Sequence, residues 1–419
     1  MQTVTEPERT LPVSGEFEII ICGGGPAGIS AACAAARRGR KTLLLERNNC
    51  LGGIWTAGLM PWILDQHNKH GFLAELRREI PRHGGWLTPT GKLGIPPEEF
   101  KYLLERFALD SGVTIRYGMT VAGAVRDNRT ITHVITESKS RREAWKAQCF
   151  IDCTGDGDLA AVSGCGFDYA GEDGHAQPSS LNGLLGGLEL AEVESYLTTS
   201  NGKGLFLAAL RNAGVEPTYD KPTLIHFGSG VFGLMSFHGY GTCPFSTQSI
   251  TEMILKGRDE LHRQVDALRR LGGVWRNIVL LATSEQLGIR EGRRIHGRET
   301  VTGDHLKGIV KTECPVCRIT AQPDIHAPDP NRGSGIVKVA FRCSNYDIPW
   351  GVLLSADRDN LLMAGRCISG DFIAHSSYRM SGNAVPMGEA AGIGAALAVQ
   401  MNCLPAEVPF EAMASQIEL

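Results

Sequence analysis

The sequence predicts an α/β fold: a parallel sheet flanked by helices, a small antiparallel layer attached to it, and an inserted α+β domain. Three observations predict it. Phe17-Glu18-Ile19-Ile20-Ile21-Cys22 is a near-continuous apolar run of the kind found in strands buried on both faces. A glycine cluster, a small-residue helical stretch and a second run, Lys41-Thr42-Leu43-Leu44-Leu45-Glu46, follow it. Strand, helix and strand in that order make a βαβ unit with parallel strands. Far along the chain, Asn360-Leu361-Leu362-Met363-Ala364 and the small-residue stretch from Ser381 to Gln400 repeat strand then helix.

In the first unit, Gly23, Gly25 and Gly28 satisfy the pattern G-x-G-x-x-G directly after the strand. One glycine permits a tight turn, one lets backbone approach a pyrophosphate, and one lets helix pack on strand. Pro26 and Ala27 open a helix reaching to about Arg38, which Gly39 ends, and the positive end of that helix faces the anion. Glu46 closes the second strand about twenty residues on, where a carboxylate accepts from ribose hydroxyls and repels a 2′-phosphate. The whole series predicts a Rossmann-like dinucleotide site that disfavours NADP.

Composition excludes other classes. The chain has 419 residues, 42% of them hydrophobic, enough for a large core over about two domains. Lys plus Arg number 42 and Asp plus Glu 45, a net charge of −3 with no basic stripe, which argues against a nucleic acid partner. The opening residues lack the basic region and apolar run of a signal peptide, and no window reaches the roughly eighteen apolar residues of a membrane span. Twelve cysteines are scattered without secretory context, so buried thiols in a reducing cytoplasm are expected, with no metal site.

The stretch ICGGGPAGISAACAAARRGRKTLLLERNNCLGGIWTAGL is similar to the opening of the FAD-dependent oxidoreductase family, within the glutathione-reductase-like flavoprotein superfamily. That resemblance implies noncovalent FAD, with Arg47, Gly52, Gly53 and Thr56 beside it. It recurs at Phe150-Ile151-Asp152-Cys153-Thr154-Gly155-Asp156-Gly157-Asp158, where the family's chain passes back under the cofactor and Thr154, Gly155 and Asp156 are implied to touch it. It recurs again at Asn360 to Gly370, similar to the strand ending beside the flavin ribityl chain, and in the helix SGNAVPMGEAAGIGAALAVQ. A residue at the position of Val121 holds the adenine by its backbone in the family. Many superfamily members follow the glycine of that last strand with Asp, whereas Gly365 is followed here by Arg366. Asp371 is an alternative acid, with an exposed loop carboxylate the blander and favoured role.

In the last helix, Ser381, Gly382 and Asn383 are expected to supply capping groups and Pro386 to suit the first turn, with the positive end toward the flavin pyrimidine oxygens. Between the cofactor segments, Val113 to Tyr117, Val121, Ile131 to Thr136 and Lys146 to Ile151 read as the small antiparallel layer. The FAD-binding domain is therefore discontinuous, 15–165 and 345–405, with a substrate domain over 166–344, a helix from Ile250 to Leu271, and an N-terminal arm over 1–14. Gly228-Ser229-Gly230-Val231-Phe232-Gly233 matches the dinucleotide pattern again, but an aromatic, glycine-rich continuation cannot open a helix, so a second nucleotide site is rejected. Cys314 and Cys317 have C-x-x-C spacing without a second pair and are read as structural.

For chemistry, hydride leaves a substrate carbon for flavin N5 while a base or cation handles the proton or polarises an oxygen. Arg290, Arg293 and Arg294 stand three or four apart and on a helix or tight turn could share one face and clamp a carboxylate, a solvated face being the competing reading. The segment from Thr283 to Gly297 resembles a family stretch whose arginine reaches the active site. His375, Tyr378 and Arg379 fall between the ribityl strand and the flavin-facing helix, with His375 the acid or base and simple packing its alternative. The expected function is an FAD-dependent dehydrogenase or oxidase of a small organic molecule. Its electron acceptor is open among oxygen, quinone, nicotinamide and protein, and assembly into a homo-oligomer is compatible with it. An NAD(P)H-using flavin monooxygenase and a non-catalytic flavoprotein are the alternatives. The W-x-W-x-I-P of halogenases is absent.

Overall fold

A computed structural model describes residues 2–87, 93–171, 174–329 and 335–417. The first part of the chain gives β1 (Val13–Glu16), β2 (Ile19–Cys22), α1 (Pro26–Ala36), β3 (Thr42–Leu45), α2 (Pro97–Asp110), β4 (Thr114–Arg116), β5 (Thr120–Asp127), β6 (Thr130–Glu137), β7 (Arg142–Lys146) and β8 (Cys149–Asp152). The middle gives β9 (Gly183–Gly186), β10 (Thr223–Gly228), β11 (Val231–Met235), α3 (Thr247–Leu271) and β12 (Val279–Thr283), and the last part β13 (Leu361–Met363), α4 (Phe372–Tyr378) and α5 (Ser381–Met401).

The apolar runs assemble as their hydrophobicity requires. β2, β3 and β8 are buried along their whole length and lie at the centre of a five-stranded sheet ordered β13-β8-β2-β3-β4, parallel throughout. Phe150 stands beside both Ile20 and Leu361, so strands from opposite halves of the chain share one register. α1 and α5 cross the sheet in direct backbone proximity because both are built from small residues. A Cβ on Gly388 would lie 2.0 Å from the carbonyl oxygen of Ala27, and one on Gly392 2.3 Å from that of Ala31.

β5, β6 and β7 form an antiparallel meander whose outer edge is extended by β1, paired parallel to β7. Two boundaries differ from the sequence expectation. Thr114–Arg116 is the parallel edge strand of the main sheet rather than part of the antiparallel layer, because it pairs with β3. The run Lys146 to Ile151 is divided: β7 ends at Lys146 in the meander, and β8 begins at Cys149 in the parallel sheet. Val13 and Ser14 leave the expected arm to join β1.

The inserted region carries its own antiparallel sheet, β10-β11-β9-β12, and its own core around Leu185, Phe232, Leu261 and Trp275, with α3 packed across it. The second glycine pattern is the turn of the β10–β11 hairpin: Gly228, Ser229 and Gly230 all have positive φ, and the chain continues as strand. No helix among the described residues is long and apolar enough to cross a membrane.

Candidate active site

The carboxyl ends of the parallel strands open onto a cleft, where α/β sheets place their ligands. Its floor follows from local rules. Gly25 ends the turn after β2 in extended backbone, and α1 starts with Pro26 at its first position and no side chain capping its amides. A Cβ at Gly25 would meet nothing within 4 Å, so the bare backbone faces open cleft with helix N–H groups behind it, a cradle for a pyrophosphate. Glu46, at the end of β3, is held by both oxygens: Oε2 accepts from the Gly24 amide at 2.6 Å, and Oε1 from the Asn48 amide at 2.7 Å and its side chain at 2.8 Å.

The turn after β8 is fixed from below. Asp152 accepts from the Thr154 amide, the Thr154 hydroxyl and the Ala160 amide, which presents Thr154 and Gly155 to the cleft. Burial raises the Asp152 carboxyl to about 6. Arg366 reaches across to Asp156 at 3.0 Å and covers Gly155, where a Cβ would lie 2.6 Å from its Nη2.

At the far end, Ile54, Gln286, Arg379 and Ser381 line the wall, and Arg379 leads into a buried polar cluster. Its Nη2 donates to the Asp324 carbonyl at 2.6 Å and to Gln177 Oε1 at 3.3 Å, and lies 3.5 Å from the Asp324 carboxylate. His326 Nε2 stands 3.1 Å from Asp324 Oδ2, and its amide donates to Gln177 Oε1. Arg290 donates to the Pro178 carbonyl at 2.5 Å and faces His238 Nε2 at 3.2 Å. Tyr219 stacks on His238 with ring centroids 4.0 Å apart, and His238 meets His326 at 5.0 Å. Burial and the Arg290 guanidinium bring His326 down to about 4 and hold His238 far below the usual histidine range. Burial opposes ionisation of Asp324, but the His326 hydrogen bond and the two guanidinium groups outweigh it and hold the carboxyl below its usual range.

Among the residues picked from sequence, Gly23, Gly25, Pro26, Ala27, Glu46, Arg47, Gly53, Val121, Thr154, Gly155, Gly365, Arg366, Arg379 and Ser381 form the cleft wall. The remainder stand behind it. Gly28 packs against the Gly23 carbonyl, Gly52 turns the chain at φ 105°, and Thr56 is buried and bonds Leu51. Asp156 pairs with Arg366, Gly382 lies against the Leu64 carbonyl, and Asn383 is buried within α5. The expected capping does not form. Met380 is the N-cap of α5, Ser381, Gly382 and Asn383 are its first turn, and Pro386 sits one turn further in. Asp371 is neither exposed nor on the cleft wall: it caps α4 by accepting from Ala374 and also binds the Gly303 amide.

The three arginines near 290 do not share a face, because the segment from Gly288 to Arg293 is not helical. Arg293 pairs with Asp158 and packs over Phe245, and Arg294 donates to the Gly370 and Ala170 carbonyls. Only Arg290 turns to the cluster, where Arg379 joins it. His375 and Tyr378 lie one layer behind: both are fully buried, their rings meet edge to face at 5.4 Å, and the Tyr378 hydroxyl donates to the Ile368 carbonyl. Burial and the guanidinium groups of Arg294, Arg379 and Arg366 keep His375 neutral. Sequence reasoning did not single out His238, His326, Asp324 or Gln177. The available signal was Asp-Ile-His, whose alternation in a strand puts Asp324 and His326 on one face.

Fold and cleft define a dinucleotide-binding α/β protein, with Gln286 joining the cleft wall from the middle of the chain. A model of the family described as FAD dependent oxidoreductase matches residues 18–417, and the chain belongs to that family. It is an FAD-dependent enzyme. Thiamine thiazole synthase of Methanococcus aeolicus is 27% identical over 150 residues, 33% of this chain and 55% of that protein. The Sulfolobus acidocaldarius enzyme of the same name is 29% identical over 161 residues, 35% of this chain and 59% of that one. The chain thus spans little more than half the length of these relatives. Similar solved structures include the flavin-dependent brominase Bmp2 (TM-score 0.49, 12% identity, 96% of this chain and 82% of that one). Another is p-nitrophenol 4-monooxygenase PnpA from Pseudomonas putida DLL-E4 (TM-score 0.49, 9% identity, 96% and 84%).

The residues present fit FAD. The open space before Gly25, the uncapped amides of α1 and the tethered Glu46 suit a pyrophosphate and a ribose, and the wall continues past Arg366 to Ser381 for a longer group.

Proposed function

We propose that the protein oxidises a small organic substrate by hydride transfer to FAD, as a dehydrogenase or oxidase. When bound, FAD supplies a two-electron acceptor at its flavin N5. The observation that carries this reading is Arg379, which lines the end of the dinucleotide cleft and is tied at the same time to Gln177 and Asp324 in the buried cluster. The buried polar cluster adjoins the dinucleotide cleft through Arg379, which lines the cleft wall and donates to Asp324 and Gln177. In that cluster the arginines orient a substrate oxygen, and neutral His326 can take a proton on Nδ1. Glu46 and Gly25 hold the adenosine and pyrophosphate end, while Thr154, Gly155 and Arg366 hold the middle. The order of motifs along the chain supports the wider kinship to glutathione-reductase-like flavoproteins.

The test is the visible spectrum of the purified protein. Flavin absorption that moves to the supernatant on acid precipitation is expected for noncovalent FAD. Anaerobic bleaching by small hydroxy or amino compounds, without bleaching by NADH or NADPH, is expected for the proposed reaction. Rapid bleaching by a nicotinamide alone would replace it with the monooxygenase reading.

A further inference from the structure

We propose that the buried cluster of Arg290, Arg379, His238 and His326, which meets the cleft at Arg379, is a subsite for a substrate carboxylate, and that His326 is the base that removes a proton from the hydroxyl or amine on the carbon being oxidised. The proposal rests on the hydride-transfer reading. It names the substrate class as small hydroxy or amino carboxylic acids.

The hydrogen bonds assign the tautomers. A guanidinium only donates, so His238 Nε2, facing Arg290, is an acceptor, and the ring proton is on Nδ1. A carboxylate only accepts, so His326 Nε2, facing Asp324, carries its proton, and Nδ1 holds a free lone pair. Among the described residues, His238 Nδ1, His326 Nδ1 and Arg379 Nε are buried without a hydrogen-bond partner. Buried polar groups are ordinarily paired, yet this cluster leaves two donors and one acceptor unanswered among the described residues.

Charge points the same way. Arg290 has a carbonyl and a neutral histidine for partners and no carboxylate in contact among the described residues. Asp324 is shared between Arg379 and His326. The neighbouring Glu291 is engaged with Arg294 and the Gln177 amide. In the cluster two guanidinium groups, Arg290 and Arg379, thus have between them the single contacting carboxylate of Asp324, with Arg290 in contact with no carboxylate among the described residues, a costly arrangement unless an anion completes it. A carboxylate matches the fork geometry of arginine. Its arrival would also cancel the cationic field that suppresses proton uptake by His326, so the base strengthens only when substrate is in place. The balance is that of a two-electron oxidation. The substrate C–H pair leaves as hydride to the bound flavin, its O–H or N–H proton goes to His326 Nδ1, and a C=O or C=N bond forms.

The experiment titrates the holoprotein with acetate, benzoate, benzamide and inorganic phosphate, read by calorimetry and by the flavin band shift. Benzoate or acetate is expected to bind and benzamide not. Arg290→Gln and Arg379→Gln should each weaken carboxylate binding by about 10- to 100-fold, as loss of a charge-assisted hydrogen bond predicts. Arg290→Lys should be intermediate. The exposed control Arg276→Gln should be unchanged, with FAD content and thermal midpoint reporting the folding of each variant. His326→Gln should keep carboxylate affinity within about threefold while slowing flavin reduction by hydroxy or amino acids by about 10²- to 10⁴-fold. Equal carboxylate affinity in the arginine variants, equal binding of benzamide and benzoate, or selective binding of phosphate would overturn the subsite. Reduction by neutral alcohols or amines without carboxylate binding would overturn it and leave the hydride reading standing. Arginine-dependent carboxylate binding with reduction only by a nicotinamide would do the reverse.

Discussion

Gly25 and Gly28 belong to one motif and meet different surroundings. Gly25 has ordinary extended backbone and open space beside it, whereas a Cβ on Gly28 would lie 1.7 Å from the Gly23 carbonyl oxygen. Gly25→Ala should therefore leave the apoprotein's unfolding midpoint unchanged and weaken FAD binding at least about tenfold, measured by flavin fluorescence titration. Gly28→Ala should destabilise the fold itself by about 1–3 kcal/mol, the usual cost of forced overpacking, measured by urea unfolding of the apoprotein. Such positions are legible in sequence because the constraint is local backbone geometry, spelled within six residues. His326 and Arg379 were harder to read. Both meet at Asp324, and for Arg379 that contact joins positions 55 apart, which no periodicity encodes.

Elements obey a similar division. β2, α1 and β3 were legible from apolar runs and small-residue spacing, and they formed with their ends shifted by only one or two residues. The segment around Arg290 misled, because i, i+3 and i+4 spacing has meaning only on a helix. Gly292 instead presses against Asp156, whose Oδ1 would lie 2.3 Å from an added Cβ, and the chain there forms no helix. The α1–α5 seam is where element packing meets the cofactor, since Ala27 belongs both to the seam and to the cleft wall. Gly392→Ala, with its Cβ 2.3 Å from the Ala31 carbonyl, should cost about 1–3 kcal/mol by the same overpacking argument. Flavin should also be retained less well on gel filtration, although no atom of Gly392 lies on the cleft wall.

At the scale of the whole molecule, burying neutral histidines couples stability to pH. His326 falls from an ordinary 6.5 to about 4 in the folded protein, under burial and the charges of Arg290 and Arg379, with Asp324 opposing and His238 alongside. The unfolded chain therefore binds the extra proton between those values. This group's stabilisation is complete above about pH 6.5 and is lost as pH falls toward 4. Between pH 7 and 4 the wild type should lose about 3 kcal/mol more than His326→Asn. Comparing the two chains removes the opposing contribution of Asp152, raised to about 6. Steeper loss in the variant would refute the assignment of a neutral His326.

The strand β13 closes the free edge of β8, and Asn360 ties that edge by donating to the Gln148 carbonyl across 212 positions of chain. During synthesis, β8 must therefore wait as an unpaired apolar edge while the entire inserted domain is made, a state exposed to aggregation. Refolding from denaturant is accordingly expected to be slow and concentration-sensitive, as non-local pairing dictates. Free FAD should raise the yield by capturing the first chains whose two halves have met.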